Sequence, residues 1–132
     1  MLETEQVATA SRLLTHDTFD NKCVLRPIMD QTTSRWATLI ISALVPGPLR
    51  FAQLHGRVGG ISQKMLSQNL KALARTGLVD RDVASTNPPQ VTYSLTELGV
   101  SLAGPLTDLI RWFGQHGDEL LAAQKHYDNQ TR

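Results

Sequence analysis

Apolar residues recur at helical spacing in the middle of the chain, and the clearest stripe spans residues 36–44. Its members, at i, i+3, i+4, i+7 and i+8, are Trp36, Leu39, Ile40, Ala43 and Leu44. This spacing predicts a core helix, and Ser34 stands where its N-terminal cap is expected. Pro46-Gly47-Pro48 predicts the end of the helix, because proline restricts the preceding residue and has no amide hydrogen to donate.

Two shorter helices joined by a tight turn are predicted next. The apolar edge of the first consists of Phe51, Leu54 and Val58. Gly59-Gly60 ends this helix, and Ser62 caps a second helix that runs from about Gln63 to Thr76. One face of the second helix is apolar, with Leu66, Leu70 and Leu73. The other face carries only hydrogen-bond donors and cations, namely Lys64, Ser67, Gln68, Lys71 and Arg75.

The pattern then changes to the alternation that is typical of strands. Residues 79–85 and 90–95 predict two strands, which the proline-stiffened tip Thr86-Asn87-Pro88-Pro89 joins into a hairpin. Thr96 caps a further helix. The apolar stripe of that helix consists of Leu102, Leu106, Leu109, Ile110 and Phe113. We expect Gly114 and Gly117 to break or bend it before a final polar helix that contains Leu120, Leu121 and Lys125.

Two thinner stripes precede the core helix. The first predicts a short helix within residues 3–15 and the second predicts a helix that starts near Cys23. Their apolar positions are Val7, Ala10 and Leu14, and Leu25, Ile28 and Met29. Helices this short are marginal in isolation, so each needs a surface that covers its apolar side.

The composition fits one globular domain. The chain has 132 residues, of which 41% are hydrophobic and 19% charged. No apolar run approaches the ~20 residues of a membrane-spanning helix, and Glu3 and Glu5 stand where a secretory signal would be basic. We therefore expect no membrane association. The single cysteine, Cys23, rules out an internal disulfide and indicates a reducing compartment, so we expect a cytoplasmic protein.

The net charge of +1 hides an uneven distribution along the chain. Residues 35–81 contain seven basic residues and one acidic residue, a net charge of +6, whereas the flanks together carry −5. A basic centre suits a polyanionic partner, because each phosphate that is neutralised releases condensed counterions. A basic surface that is merely solvated would give the same count.

The sequence contains no convincing catalytic or metal-binding pattern. The four histidines (His16, His55, His116 and His126) are widely spaced, and there is no phosphate-binding loop of the Walker type. The stretch 99–103, Gly-Val-Ser-Leu-Ala, lacks the second glycine of a nucleophile elbow. We expect no enzymatic activity, no metal and no cofactor.

A basic helix-turn-helix followed by a hairpin predicts a winged helix, whose second helix enters the major groove of DNA while the hairpin contacts flanking backbone or minor groove. This second helix has no acidic residue between Lys64 and Arg75, whereas a solvated helix normally mixes signs. Double-stranded DNA is therefore the predicted partner. Candidates for base contacts are Gln63, Lys64, Ser67 and Gln68. Further predicted DNA contacts are Arg50, Ser62, Lys71, Arg75, Asn87 and Gln90.

Several motifs resemble the HxlR-type, MarR-like winged-helix transcription regulators. They are Gly47-Pro48-Leu49-Arg50-Phe51, Gly60-Ile61-Ser62, Met65-Leu66-Ser67, Gly77-Leu78-Val79, and the run from Pro88-Pro89 through Val91-Thr92-Tyr93-Ser94-Leu95-Thr96-Glu97-Leu98-Gly99. The resemblance covers about Cys23 to His116. It implies a homodimeric bacterial DNA-binding regulator whose dimer surface uses the helices that flank the winged core.

The predicted fold is accordingly mainly α with a small β-hairpin wing, an α+β winged helix-turn-helix with additional N- and C-terminal dimerisation helices. We assign residues 1–22 to an N-terminal dimerisation arm, 23–117 to the DNA-binding domain and 118–132 to a C-terminal tail helix. In the homodimer the two thin N-terminal stripes are expected to pack on the partner's Leu109, Ile110, Phe113 and Leu120.

Cys23 has two interpretations. In several members of the family that the chain resembles, a cysteine at about this position senses oxidants or electrophiles, and the basic neighbours Lys22 and Arg26 would favour its thiolate. The alternative is a half-buried packing residue. The aromatic residues Trp36, Phe51, Trp112 and Phe113 similarly predict core packing or, alternatively, a small effector pocket.

The predicted function is a sequence-specific transcription regulator that acts as a homodimer on a palindromic operator, with Cys23 as the candidate redox or electrophile sensor. Two alternatives stay open. One is a winged-helix module that associates with an acidic protein, and the other is a regulator that responds to a small noncovalent ligand.

Overall fold

The computed structural model describes residues 16–131, so the helix predicted within residues 3–15 lies outside the described part. The elements, in chain order, are α1 (Arg26–Thr32), α2 (Arg35–Ala43), β1 (Leu49–Arg50), α3 (Phe51–Arg57), α4 (Gln63–Arg75), β2 (Val79–Ala84), β3 (Gln90–Leu95) and α5 (Glu97–Gln130). Five helices and one small sheet make the described part of the chain mainly α, as the sequence predicts.

The predicted helix caps are confirmed. The hydroxyl oxygens of Ser34, Ser62 and Thr96 accept hydrogen bonds from the backbone amides three residues further on, at 3.4, 3.0 and 3.0 Å. The Thr96 hydroxyl also donates to the carbonyl of Gly77 at 2.6 Å. Gly77 has a φ of +78°, the left-handed conformation that favours glycine after a helix. The start of α5 is thereby tied to the turn that ends α4.

The core lies between α2, α3, α4 and the first turns of α5. Its fully enclosed large side chains are Ile40, Ile41, Leu54, Leu66, Leu70 and Leu73, and α5 adds Ala103 and Leu106. Trp36 and Phe51 are partly buried against this cluster. The core interpretation is therefore confirmed for these two aromatic residues.

The sheet has three antiparallel strands in the order β1-β3-β2. The hairpin register runs from Val79 opposite Leu95 to Ala84 opposite Gln90, so both predicted strands are present within one residue of their expected bounds. β1, which pairs Leu49 with Tyr93, was not predicted. Two residues are too few for an alternating pattern to mark a strand.

The C-terminal helix α5 is continuous over 34 residues, so the predicted break at Gly114 and Gly117 is wrong. A glycine in a helix costs only about 1 kcal/mol relative to alanine, and leucine, alanine, glutamine and lysine follow at residues 120–125. The expected boundary at residue 118 lies inside this helix. Within residues 16–131, no helix combines the length and the apolarity that are needed to span a membrane.

The first described helix, α1, begins at Arg26 and carries Pro27 in its first turn, where proline needs no hydrogen-bond acceptor. It therefore starts three residues after Cys23. The side chains of Ile28 and Met29 are 41% and 37% exposed. Two of the three residues of the predicted stripe are thus exposed within a single chain, whereas Leu25 is half-buried.

Candidate nucleic-acid interface

Buried side chains hold the turn between α3 and α4. Val58 and Ile61, on either side of Gly59-Gly60, are only 3% and 4% exposed. Gly60 has a φ of +83°, a left-handed conformation that is strained for residues with a side chain. The turn therefore fixes the placement of α4 relative to α3, as a helix-turn-helix requires.

Helix α4 has one buried and one exposed face. The buried residues are Leu66, Asn69, Leu70 and Leu73. Every α4 residue that the sequence assigned to DNA contact is exposed: Gln63, Lys64, Ser67, Gln68, Lys71 and Arg75. At 1.5 Å of rise per residue these side chains cover about 18 Å of the helix axis. The structure thus brings six predicted contacts together on one helix.

The cations of this face have no carboxylate partner in the part of the chain that the structure describes. Helix α4 contains no Asp or Glu. The ion pairs between residues 16 and 131 are Arg26 with Asp30 and Arg111 with Asp108, and neither involves α4. The positive charge of α4 is therefore available to an external anion.

Ser62 and Arg50 lie at the starts of helices. The Ser62 hydroxyl caps α4 by accepting a hydrogen bond from the Met65 amide. Ser62 therefore stabilises the start of α4, in addition to any contact with DNA. Arg50 precedes α3, and its backbone amide donates to the Gln53 side chain at 2.9 Å. Strand β1 places Arg50 next to Thr92 in the sheet, on a different element from the α4 cations.

The wing presents polar groups at its tip. Asn87 and Gln90 are both exposed, and Gln90 closes the ladder opposite Ala84. The Thr86 hydroxyl donates to the carbonyl of Pro88 at 2.8 Å, which holds the tip together. The structure therefore puts these two predicted contacts at the end of the hairpin.

Arg81 is a wing cation that the sequence-based list of contacts missed. It is exposed and pairs with Tyr93, whereas Asp80 and Asp82 alternate with it and face the opposite side of the sheet. The two faces of the wing thus differ in charge sign. Strand alternation within the basic block, already visible in the sequence, was the signal that could have identified Arg81.

Cys23 is half-buried in the turn that leads into α1. Its amide donates to the carbonyl of Asp20 at 3.0 Å. The guanidinium of Arg26 donates to the carbonyls of Thr18 and Phe19 at 3.1 and 3.3 Å. The structure therefore directs Arg26 to backbone oxygens, and Lys22 is exposed. The expected support of the thiolate by Arg26 does not appear among these contacts.

The four aromatic residues do not share a pocket. Trp112 packs edge-to-face on Phe113, with ring centroids 5.2 Å apart, on the exposed part of α5. A depression of about 370 Å³ lies elsewhere, lined by Ala43, Pro46, Gly47, Pro48, Leu49, Gln53 and Arg57. Between residues 16 and 131, no group of three His, Cys, Asp or Glu residues is arranged to hold a metal ion.

Comparison with known proteins identifies the family. The sequence model of the HxlR-like helix-turn-helix matches residues 32–120. The uncharacterised HTH-type transcriptional regulator YtfH of Escherichia coli K12 is 37% identical over 119 residues, which are 90% of this chain and 94% of that protein.

Solved structures agree with that assignment. The transcriptional regulator ytfH from Salmonella typhimurium has a TM-score of 0.79 at 36% identity, covering 83% of this chain and 98% of its own. The redox regulator HypR in its reduced form has a TM-score of 0.68 at 28% identity, covering 74% and 97%. The exposed α4 face, the wing and these similarities show that this chain belongs to the HxlR-like winged helix-turn-helix family of DNA-binding transcription regulators.

Proposed function

We propose that this regulator binds a palindromic operator as a homodimer and recognises its sequence through α4. The observation that carries the proposal is the acid-free exposed face of α4, whose cations have no carboxylate partner within residues 16–131. Because a transcription regulator works at the chromosome, we place it in the bacterial cytoplasm, and we assign it no enzymatic activity.

The contacts divide by position along α4. Gln63, Lys64, Ser67 and Gln68 lie in the N-terminal half, the part of a recognition helix that usually reaches base edges. Glutamine can pair with adenine, and lysine with guanine. Lys71 and Arg75, further along the helix, are proposed to contact phosphate together with Arg50, Asn87 and Gln90.

The experiment is a selection of duplexes from a random library by the full chain, followed by affinity measurements at 50 and 200 mM salt. About 6–10 phosphate contacts predict a loss of about 10³ to 10⁵ in affinity over this salt range. The selected duplex should also bind more tightly than a random duplex. Equal affinity for both would refute sequence-specific regulation, and binding to an acidic protein in place of DNA would support an association module.

Exposed apolar side chains support the homodimer. Helix α5 continues past Leu106, its last buried residue, for about 36 Å. Exposed large apolar side chains on this extension and on α1 are Leu109, Trp112, Phe113, Leu120, Leu121, Tyr127, Ile28 and Met29. A helix of this kind needs a covering surface. A second copy provides one, and two-fold symmetry matches a palindrome.

Sedimentation of the full chain at micromolar concentration tests this assembly. We expect a dimer. A monomer at that concentration, with the helical content intact, would refute both the dimer and the two-fold arrangement of the recognition helices.

The proposed signal is oxidation of Cys23. The supporting comparison is the 28% identical redox regulator HypR. In the proposed step, two Cys23 thiols of a dimer lose two protons and two electrons to diamide, which becomes the hydrazine, and one S–S bond forms. This bond requires the two Cα atoms to approach within about 7 Å, so both turns must lie near the two-fold axis.

Affinity for the selected duplex is then measured with wild type and Cys23→Ser, before and after diamide treatment. We expect diamide to change the affinity of the wild type by about 5- to 150-fold, the usual range of allosteric coupling, and to leave Cys23→Ser unchanged. Identical affinities of both proteins throughout would make Cys23 a packing residue.

A further inference from the structure

The recognition helix contains a buried polar side chain on the side away from its DNA-facing residues. Asn69 is 8% exposed, among Leu66, Leu70 and Leu73 of the same helix. Its amide nitrogen donates to the carbonyl of Met65 at 2.8 Å. Its side-chain oxygen accepts from the amide of Gln31 at 3.5 Å. Asn69 therefore joins α4 to α1 across 38 positions of sequence.

Stability alone does not account for asparagine at this position. Moving an amide out of water costs free energy that its hydrogen bonds only partly return. A leucine of comparable shape would extend the apolar stripe of α4 without that cost. The best-attested use of a buried polar group is to select one arrangement among several that apolar packing tolerates.

Asn69 selects a rotation of α4 about its own axis. The bond to Met65 lies within α4 and fixes the conformation of the Asn69 side chain. The contact with Gln31 on α1 is then made at one setting of the helix. Gln68 precedes Asn69 by one residue, or about 100° around the helix. Any rotation of Asn69 away from Gln31 therefore turns Gln68 and Lys64 by the same angle.

We propose that Asn69, with Gln31, is a positioning residue that sets the rotation of the recognition helix and couples it to α1. The inference rests on the proposed DNA-binding function. A rotation of about 15° at a radius of about 6 Å moves surface groups by about 1.5 Å. A hydrogen bond to a base edge tolerates a displacement of only about 0.5 Å. Such a rotation therefore breaks the hydrogen bonds to bases, whereas the contacts of the cations with phosphate persist.

The same contact connects α4 to the segment with the proposed sensor. The amide of Arg26 donates to the carbonyl of Cys23 at 3.1 Å, so α1 starts directly at the Cys23 turn. Ile28 and Met29 place the exposed apolar side chains of α1 within three residues of Gln31. A displacement of α1 at either point reaches α4 through the Gln31–Asn69 contact.

The test uses Asn69→Leu, Gln31→Leu and the double variant in the full chain. The selected duplex and a random duplex are the probes, and the melting temperature is measured in parallel. Each single variant should lose about fivefold or more in discrimination between the duplexes, and the double variant should lose no more than either. The melting temperature of Asn69→Leu should stay at or above that of wild type. Asp30→Asn, a neighbouring change on α1 at a residue that pairs with Arg26, should keep full discrimination.

Two outcomes would overturn the proposal. One is full discrimination by Asn69→Leu when wild type discriminates. The other is a lower melting temperature with equal losses on both duplexes, since Asn69 would then only hold the core together. Failure of wild type to discriminate is a different result, because it refutes the DNA-binding function itself.

Discussion

The junction between α4, the wing and α5 depends on the absence of a side chain at Gly99. A Cβ built at this position overlaps the carbonyl oxygen of Leu78 and lies 3.3 Å from Cδ2 of Leu95. That carbonyl also accepts from the Thr96 amide at 3.1 Å. Leu78 and Val79 are 6% and 2% exposed, so the core prevents the carbonyl from moving aside. We therefore expect Gly99→Ala to push α5 away.

The expected cost follows from the contacts that this movement breaks. The methyl group reaches ordinary contact distance only if α5 shifts by about 1.5 Å. The hydrogen bonds of Thr96 to Leu78 and Gly77 are then lost, at about 1 kcal/mol each. Looser packing of Leu106 adds about 1–2 kcal/mol. Subtracting about 1 kcal/mol for the better helix propensity of alanine leaves a net destabilisation of about 2–3 kcal/mol.

Thermal unfolding followed by circular dichroism at one fixed protein concentration measures this effect. At about 4 °C per kcal/mol for a domain of this size, the melting temperature should fall by about 8–12 °C. Gly56→Ala is the matched control, since Gly56 is an exposed helical residue with nothing within 4 Å of a built Cβ. It should be neutral or slightly stabilising. A Gly99→Ala protein as stable as wild type would refute the reasoning.

Three further predictions concern DNA contact, capping and assembly. Gln68→Ala should lower discrimination at particular bases by about 1–3 kcal/mol, whereas Lys71→Ala should weaken all duplexes alike and reduce the salt slope by about one unit; uniform effects of both would contradict this division. Ser62→Ala should cost about 1 kcal/mol in chemical denaturation through loss of the α4 cap, and an unchanged midpoint would argue against it. Phe113→Asp should give a folded monomer in sedimentation, because Phe113 is 54% exposed and outside the core; a persistent dimer would exclude Phe113 from the interface.

Local signals predicted the central part of the fold well. Cap residues and apolar spacing located α2 and α4, because the hydroxyls of Ser34 and Ser62 act on amides only three residues away. The exposed basic face of α4 followed from the same spacing, since burial of one side of a helix leaves the other side in solvent. Strand alternation located the hairpin within one residue.

The sequence did not predict two structural features, namely strand β1 and the continuity of α5. β1 exists because β3 supplies hydrogen bonds to Leu49 and Arg50, more than 40 residues earlier in the chain. Helix α5 continues through Gly114 and Gly117 because the small cost of each glycine is offset by the helix-forming residues around it. Two glycines were therefore not enough to predict a helix end.

The sequence by itself determined that α2 and α4 are helices, which face of α4 is basic, and that a hairpin follows α4, because these depend on neighbours within one or two turns. Together these features predict the winged helix. Only the tertiary structure decided that Arg26 serves the carbonyls of Thr18 and Phe19 and that Asn69 faces Gln31. It also decided that α5 packs on the Leu78 carbonyl. The Arg26 contacts span eight and seven residues, and the contact between Asn69 and Gln31 spans 38. Their geometry is fixed when the common core packs, which no local pattern encodes.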